Sequence, residues 1–142
     1  MQPIAFSLEF RGYSTALSPG VVTARATAPA DGVVGSDEAL LERRLTFLSD
    51  TSFEDAGSIS FGNGNAVRFR SVGLGTLGPS PTQGLRHGTA TWAVDGGAGA
   101  FAGATGRIVS NFLISAEGEL TDHELGVLFL RPPGDAIEEG TR

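Results

Sequence analysis

Glu9, within Phe6-Ser7-Leu8-Glu9-Phe10, and Arg25, within Thr23-Ala24-Arg25-Ala26-Thr27, put an acid and a permanent cation on two successive alternating stretches. Held together inside an apolar enclosure, such a pair could polarise a carbonyl as charge develops, which is worth about 3 kcal/mol for one positioned donor. Arginine supplies that charge at any physiological pH. Glu9 and Arg25 are therefore the candidate catalytic residues. The plainer alternative is that both face water, since arginine is rarely buried without a partner. Five further residues are candidate substrate contacts. Tyr13 ends the first alternating stretch, where a phenol could reach a cavity mouth or solvent. Arg68 shares a face with Arg70 and Val72. Trp92, between Ala90 and Val94 on an apolar face, is a pocket wall or plain core. Asn111 interrupts the apolar run Val109 to Leu113, and a buried amide there must find partners in the protein or in a ligand. Phe112, like Phe6, Phe10 and Phe69, is core or pocket wall.

Other chemistries are removed by what the chain lacks. It has no cysteine, so disulfides, thiolate nucleophiles and cysteine metal sites are out. All ten basic residues are arginine, which excludes a Schiff-base or Walker lysine. A formal charge of −6 argues against nucleic acid as a partner. Gly73-Leu74-Gly75-Thr76-Leu77-Gly78 has the spacing of a dinucleotide fingerprint. Pro79 and Pro81 follow it where a helix would have to begin, so a glycine-rich strand end fits better. Glu119, Asp122, His123 and Glu124 are potential metal ligands, but on a strand they split between two faces and leave an incomplete set. No metal and no cofactor are expected. Serines are plentiful, yet no G-x-S-x-G elbow occurs to present one as a nucleophile.

These residues need a frame, and the pattern around them is β. Hydrophobic residues form 40% of the 142 positions and charged residues 18%, a globular composition of single-domain size. The 21 glycines cut the chain into short runs. Ile4 to Tyr13 alternates, with Ile4, Phe6, Leu8 and Phe10 on one face and Ser7, Glu9, Arg11 and Tyr13 on the other. Val21 to Thr27 is a second strand after Ser18-Pro19-Gly20. Asp37 to Arg44 has acids before arginines, which suits a helix dipole, so at most one short helix is expected there. Leu45 to Leu48 reads as a strand. Gly62-Asn63-Gly64-Asn65 is a hairpin turn between Ser58–Phe61 and Ala66–Val72. Gly88 to Val94, Gly106 to Ser115 and Leu120 to Leu130 complete the set. The expectation is an all-β fold, a single eight-stranded antiparallel barrel over residues 1–131, with a polar tail over 132–142. The last two strands carry apolar groups on both faces, so a homo-oligomer, dimer or trimer, is expected to cover the outer one. Met1 to Phe6 carries no basic run, and no apolar run of about 18 residues follows, so a soluble cytoplasmic protein away from membranes is expected.

The run Gly96-Gly97-Ala98-Gly99-Ala100-Phe101-Ala102-Gly103-Ala104-Thr105-Gly106 resembles the signature of the allene oxide cyclase and dirigent group of small barrels, close to G-G-x-G-x-F-x-G-x-x-G before a long strand. The resemblance extends less closely to Gly88–Trp92 and Glu119–Leu130. It implies an eight-stranded, calycin-like barrel, often dimeric or trimeric, with a lumen for a lipophilic molecule. Plant members cyclise an unsaturated fatty epoxide, dirigent members guide radical coupling, and bacterial relatives cyclise polyketide intermediates. In the cyclases a first-strand glutamate steers the reaction, and Glu9 is the only acid of the first strand here. Their lumen cysteine has no counterpart, which separates this chain from the plant reaction. The motif's glycines have a purely structural reading too, as turns and barrel corners around the lone anchor Phe101. The functional expectation is a cofactor-independent cyclase or isomerase acting on an unsaturated lipophilic biosynthetic intermediate, with a non-catalytic small-molecule carrier or dirigent-like binding protein as the alternative.

Overall fold

A computed structural model describes residues 2–132, and they form one closed antiparallel barrel. The strands are β1 (Gln2–Ser18), β2 (Val21–Pro29), β3 (Glu38–Phe47), β4 (Ser52–Ser60), β5 (Ala66–Ser71), β6 (Gly75–Pro79), β7 (Leu85–Ala98), β8 (Thr105–Ser115) and β9 (Glu119–Leu130). Each strand from β1 to β4 pairs with the next, β7 to β9 do likewise, and β9 returns to β1. Between β4 and β7, β5 and β6 lie end to end and share one position. Nine strands thus make an eight-staved barrel with no free edge for another chain to pair with. The expected polar tail lies, from residue 133 on, outside the described residues. No helix among the described residues is long and apolar enough to cross a membrane.

Asp37–Arg44, where at most one short helix is expected, forms none. Most of it belongs to β3, which is bonded on one side to β2 and on the other to β4. Ala39, Leu41, Arg43 and Leu45 point inward in strict alternation. The favourable order of acids before arginines is a local preference, and pairing on both sides outweighs it. The only helical turns described are two three-residue 3-10 turns, Val33–Gly35 and Gly99–Phe101.

The two ends of the barrel differ. At the end where β1 begins, Phe6, Phe61, Phe101 and Leu128 are buried and fill the lumen. Phe101 sits 5.3 Å from Phe61, ring to ring. The Gly96–Gly106 run makes this plug: Gly99 has φ +63°, and the Asn65 side chain accepts the Ala100 N–H at 2.9 Å to hold the turn. Three aromatic rings lie flat across the barrel because a glycine stands opposite each: Phe6 against Gly126, Phe53 against Gly75 and Phe112 against Gly88. A β-carbon at any of those glycines would collide with the ring. The other end stays open.

Candidate functional site

The open end holds a cavity of about 480 Å³, within the size range of small-molecule sites. Its wall is mostly apolar, including Val22, Leu45, Phe47, Leu77, Ile114 and Leu120, with Arg86 and Asp50 at the mouth. Phe112 and Arg43 also line it. Arg43 is where the lumen changes character, because the next layer inward is charged.

Arg43 is held on every side. Its Nη2 lies 2.6 Å from Asp55 Oδ2 and its Nη1 3.0 Å from Asp122 Oδ2, with the side chains of all three almost fully buried. Nη1 also donates to Ser110 Oγ at 3.1 Å, and Ser110 donates to Asp122 Oδ1 at 2.7 Å. The guanidinium carbon lies 4.8 Å from the ring centres of both Trp92 and Phe112. Trp92 donates its indole N–H to both Asp55 oxygens at 3.1 Å and stacks on Phe69 at 3.8 Å. The register explains the assembly: Phe112 stands opposite Asp122, Ser110 opposite Glu124 and Leu45 opposite Asp55. Not every nitrogen is satisfied: Nη2 has the Asp55 ion pair but no hydrogen bond that meets angular geometry. Arg43 Nε is buried with no hydrogen-bond acceptor among the described residues.

Glu124 lies one residue pair deeper, its carboxyl oxygens buried beside the Asp122 carboxylate. Burial pushes its carboxyl well above the ordinary range, and the neighbouring Asp122 charge adds to the rise. Burial also raises Asp55, against the opposing pull of Arg43 and of the Trp92 hydrogen bond. No three His, Asp or Glu side chains among the described residues are arranged to hold a metal ion.

The residues singled out from sequence fall on both sides of the wall. Trp92 and Phe112 are in the lumen, beside Arg43. Glu9 and Arg25 are on the outer face and do not form a lumenal pair. Glu9 accepts from Arg11 at 3.1 Å and lies 3.2 Å from His123 Nε2. Arg25 lies 3.8 Å from Glu42. The reason is the pleat: Phe6, Leu8 and Phe10 point in, so Glu9 points out, and Ala24 and Ala26 do the same to Arg25. Tyr13 is exposed beside Arg25. Arg68 donates outside to the Asp95 carbonyl at 3.2 Å, and Asn111 Oδ1 lies 3.4 Å from His87 Nε2 on the outer face.

The lumen does contain an arginine–carboxylate set, but from other residues: Arg43, Asp55, Asp122 and Glu124. Each stands in phase with inward apolar residues, such as Leu41 and Leu45 around Arg43 and Leu120 and Leu128 around the β9 acids. That phase was the available signal. Reading residues 37–44 as helical concealed it for Arg43, and the apolar outer face of β9 concealed it for Asp122 and Glu124.

Val109, Leu125, Val127 and Phe129 make an exposed apolar strip along β8 and β9. No family model, curated protein or solved structure matches this chain.

Proposed function

We propose that the barrel is a cofactor-independent cyclase or isomerase that folds an unsaturated, lipophilic biosynthetic intermediate inside the open end of its lumen. The observation that carries this reading is a mostly apolar cavity of about 480 Å³ whose lining includes Arg43, a cation held in place by Asp55 and Asp122. A substrate carbonyl oxygen brought to the cavity floor would lie next to the Arg43 guanidinium. Arg43 would polarise that carbonyl as charge develops. Asp55, Asp122, Trp92 and Phe112 are positioning residues that fix the guanidinium plane, so little reorganisation is needed during reaction. The apolar wall would hold the rest of the chain folded, and well-oriented intramolecular reactions gain about 7–11 kcal/mol in this way. Cycloaddition and ring closure both fit such a site. The reading includes a cytoplasmic location and a homodimer or homotrimer, with the Val109–Phe129 strip as its contact.

A second reading, a carrier without turnover, is favoured by a different fact: none of the three buried acids, Asp55, Asp122 and Glu124, lines the cavity, and its one lining carboxylate, Asp50, is at the mouth. The two readings separate in one experiment. The gene is deleted from the producing organism and its metabolites are profiled by chromatography and mass spectrometry. A cyclase leaves an uncyclised isomer of a lost product, which purified protein converts. An unchanged set of ring systems supports the carrier.

A further inference from the structure

The charge balance of the lumen narrows the ligand class. Arg43 is the only buried cation among the described residues, and three buried carboxyls, Asp55, Asp122 and Glu124, stand around it. Two of them contact the guanidinium directly. The lumen charge is therefore zero or negative whenever any one of the three acids is ionised. A carboxylate brought to the cavity floor would lose its hydration and find a cation already neutralised. A cationic head would meet the guanidinium first. A neutral ligand brings no charge to this layer and needs no counter-ion there. At the mouth, Arg86 and Asp50 offset one another and add no net attraction for an anion.

We infer that the lumen selects neutral lipophiles, such as ketones, esters and lactones, and rejects the free carboxylates of the same chain length. This inference rests on the lumen-binding reading above. It also states the class of reaction that must precede this protein: one that releases its product as a ketone, ester or lactone precursor rather than as a free acid.

The test uses the full chain and its only tryptophan. Trp92 stacks on Phe69 and lies within 4.8 Å of the Arg43 guanidinium carbon, so its fluorescence responds to occupancy of the cavity floor. Methyl decanoate, 2-dodecanone and decanoate are titrated near neutral pH, below micelle-forming concentrations, and each saturating addition is followed by a thermal melt. The methyl ester and the ketone should change the fluorescence and raise the melting temperature, and decanoate should bind at least about tenfold more weakly. Decanoate binding as tightly as its methyl ester overturns the selection for neutral ligands while leaving lumen binding intact. Binding of none of the three removes lumen binding itself, and the inference with it.

Discussion

The barrel wall separates two sets of arginine–carboxylate contacts that look alike on paper. Outside, Arg11 with Glu9 and Arg25 with Glu42 pair at 3.1 and 3.8 Å, with side chains 42–72% exposed. Inside, Arg43 meets Asp55 and Asp122 at 2.6 and 3.0 Å, with side chains 0–1% exposed. Water screens the outer pairs and hydrates either partner if the other is lost, so they contribute little. The inner set has no such fallback, because each member is tolerated only through the others. The same two side-chain types are thus replaceable on one side of a strand and structural on the other.

Arg43→Met should give the largest effect. It leaves Asp55 and Asp122 buried without their cation, and a loss of about 3–5 kcal/mol is expected in urea denaturation at neutral pH. Asp55→Asn comes next. An asparagine oxygen can still accept from Trp92, but one of the two charges on Arg43 is gone, and a loss of about 1.5–3 kcal/mol is expected from the same measurement.

Glu124 sharpens the comparison through pH. Its folded carboxyl is held above the ordinary range, so between the unfolded and folded values the native state binds the extra proton. Stability should fall as pH rises from the unfolded glutamate value, about 4.3, towards the folded one. Glu124→Gln should remove that component and be the more stable protein at the upper end. Chemical denaturation across the range reads this directly, and equal slopes for both proteins would contradict it. The smallest effects belong outside. Glu9→Gln and Arg25→Met should each change stability by no more than about 0.5 kcal/mol and leave ligand binding unaltered. A large loss from either would mean that the outer pairs do more than their exposure allows.

Much of the frame was legible in the chain. The alternation of Ile4 to Tyr13, the turn at Gly62–Asn65 and the glycine-rich stretch before Pro79 correspond to β1, to the β4–β5 connection and to β6. The alternation also put Glu9 opposite Phe6, Leu8 and Phe10, which is the arrangement observed. The candidate site was less legible. Trp92 and Phe112 stand in the lumen beside Arg43, whereas Tyr13, Arg68 and Asn111 face outward with Glu9 and Arg25. In β8 and β9 both faces carry apolar residues, so hydrophobicity alone does not say which face is inside. Leu125, Val127 and Phe129 face out while Asp122 and Glu124 face in, the reverse of what polarity suggests.

The sequence by itself determined the period-two pattern, the places where the chain turns and a composition without thiols or lysine, because these follow from single residues and their near neighbours. Tertiary structure alone decided that β3 is a strand, that β5 and β6 share one stave, and that Arg43, Asp55 and Asp122 meet. Arg43 and Asp122 are 79 positions apart and on different strands. Only the register of a closed barrel, which links every stave to two neighbours, brings three such distant charges to one layer and makes their burial tolerable.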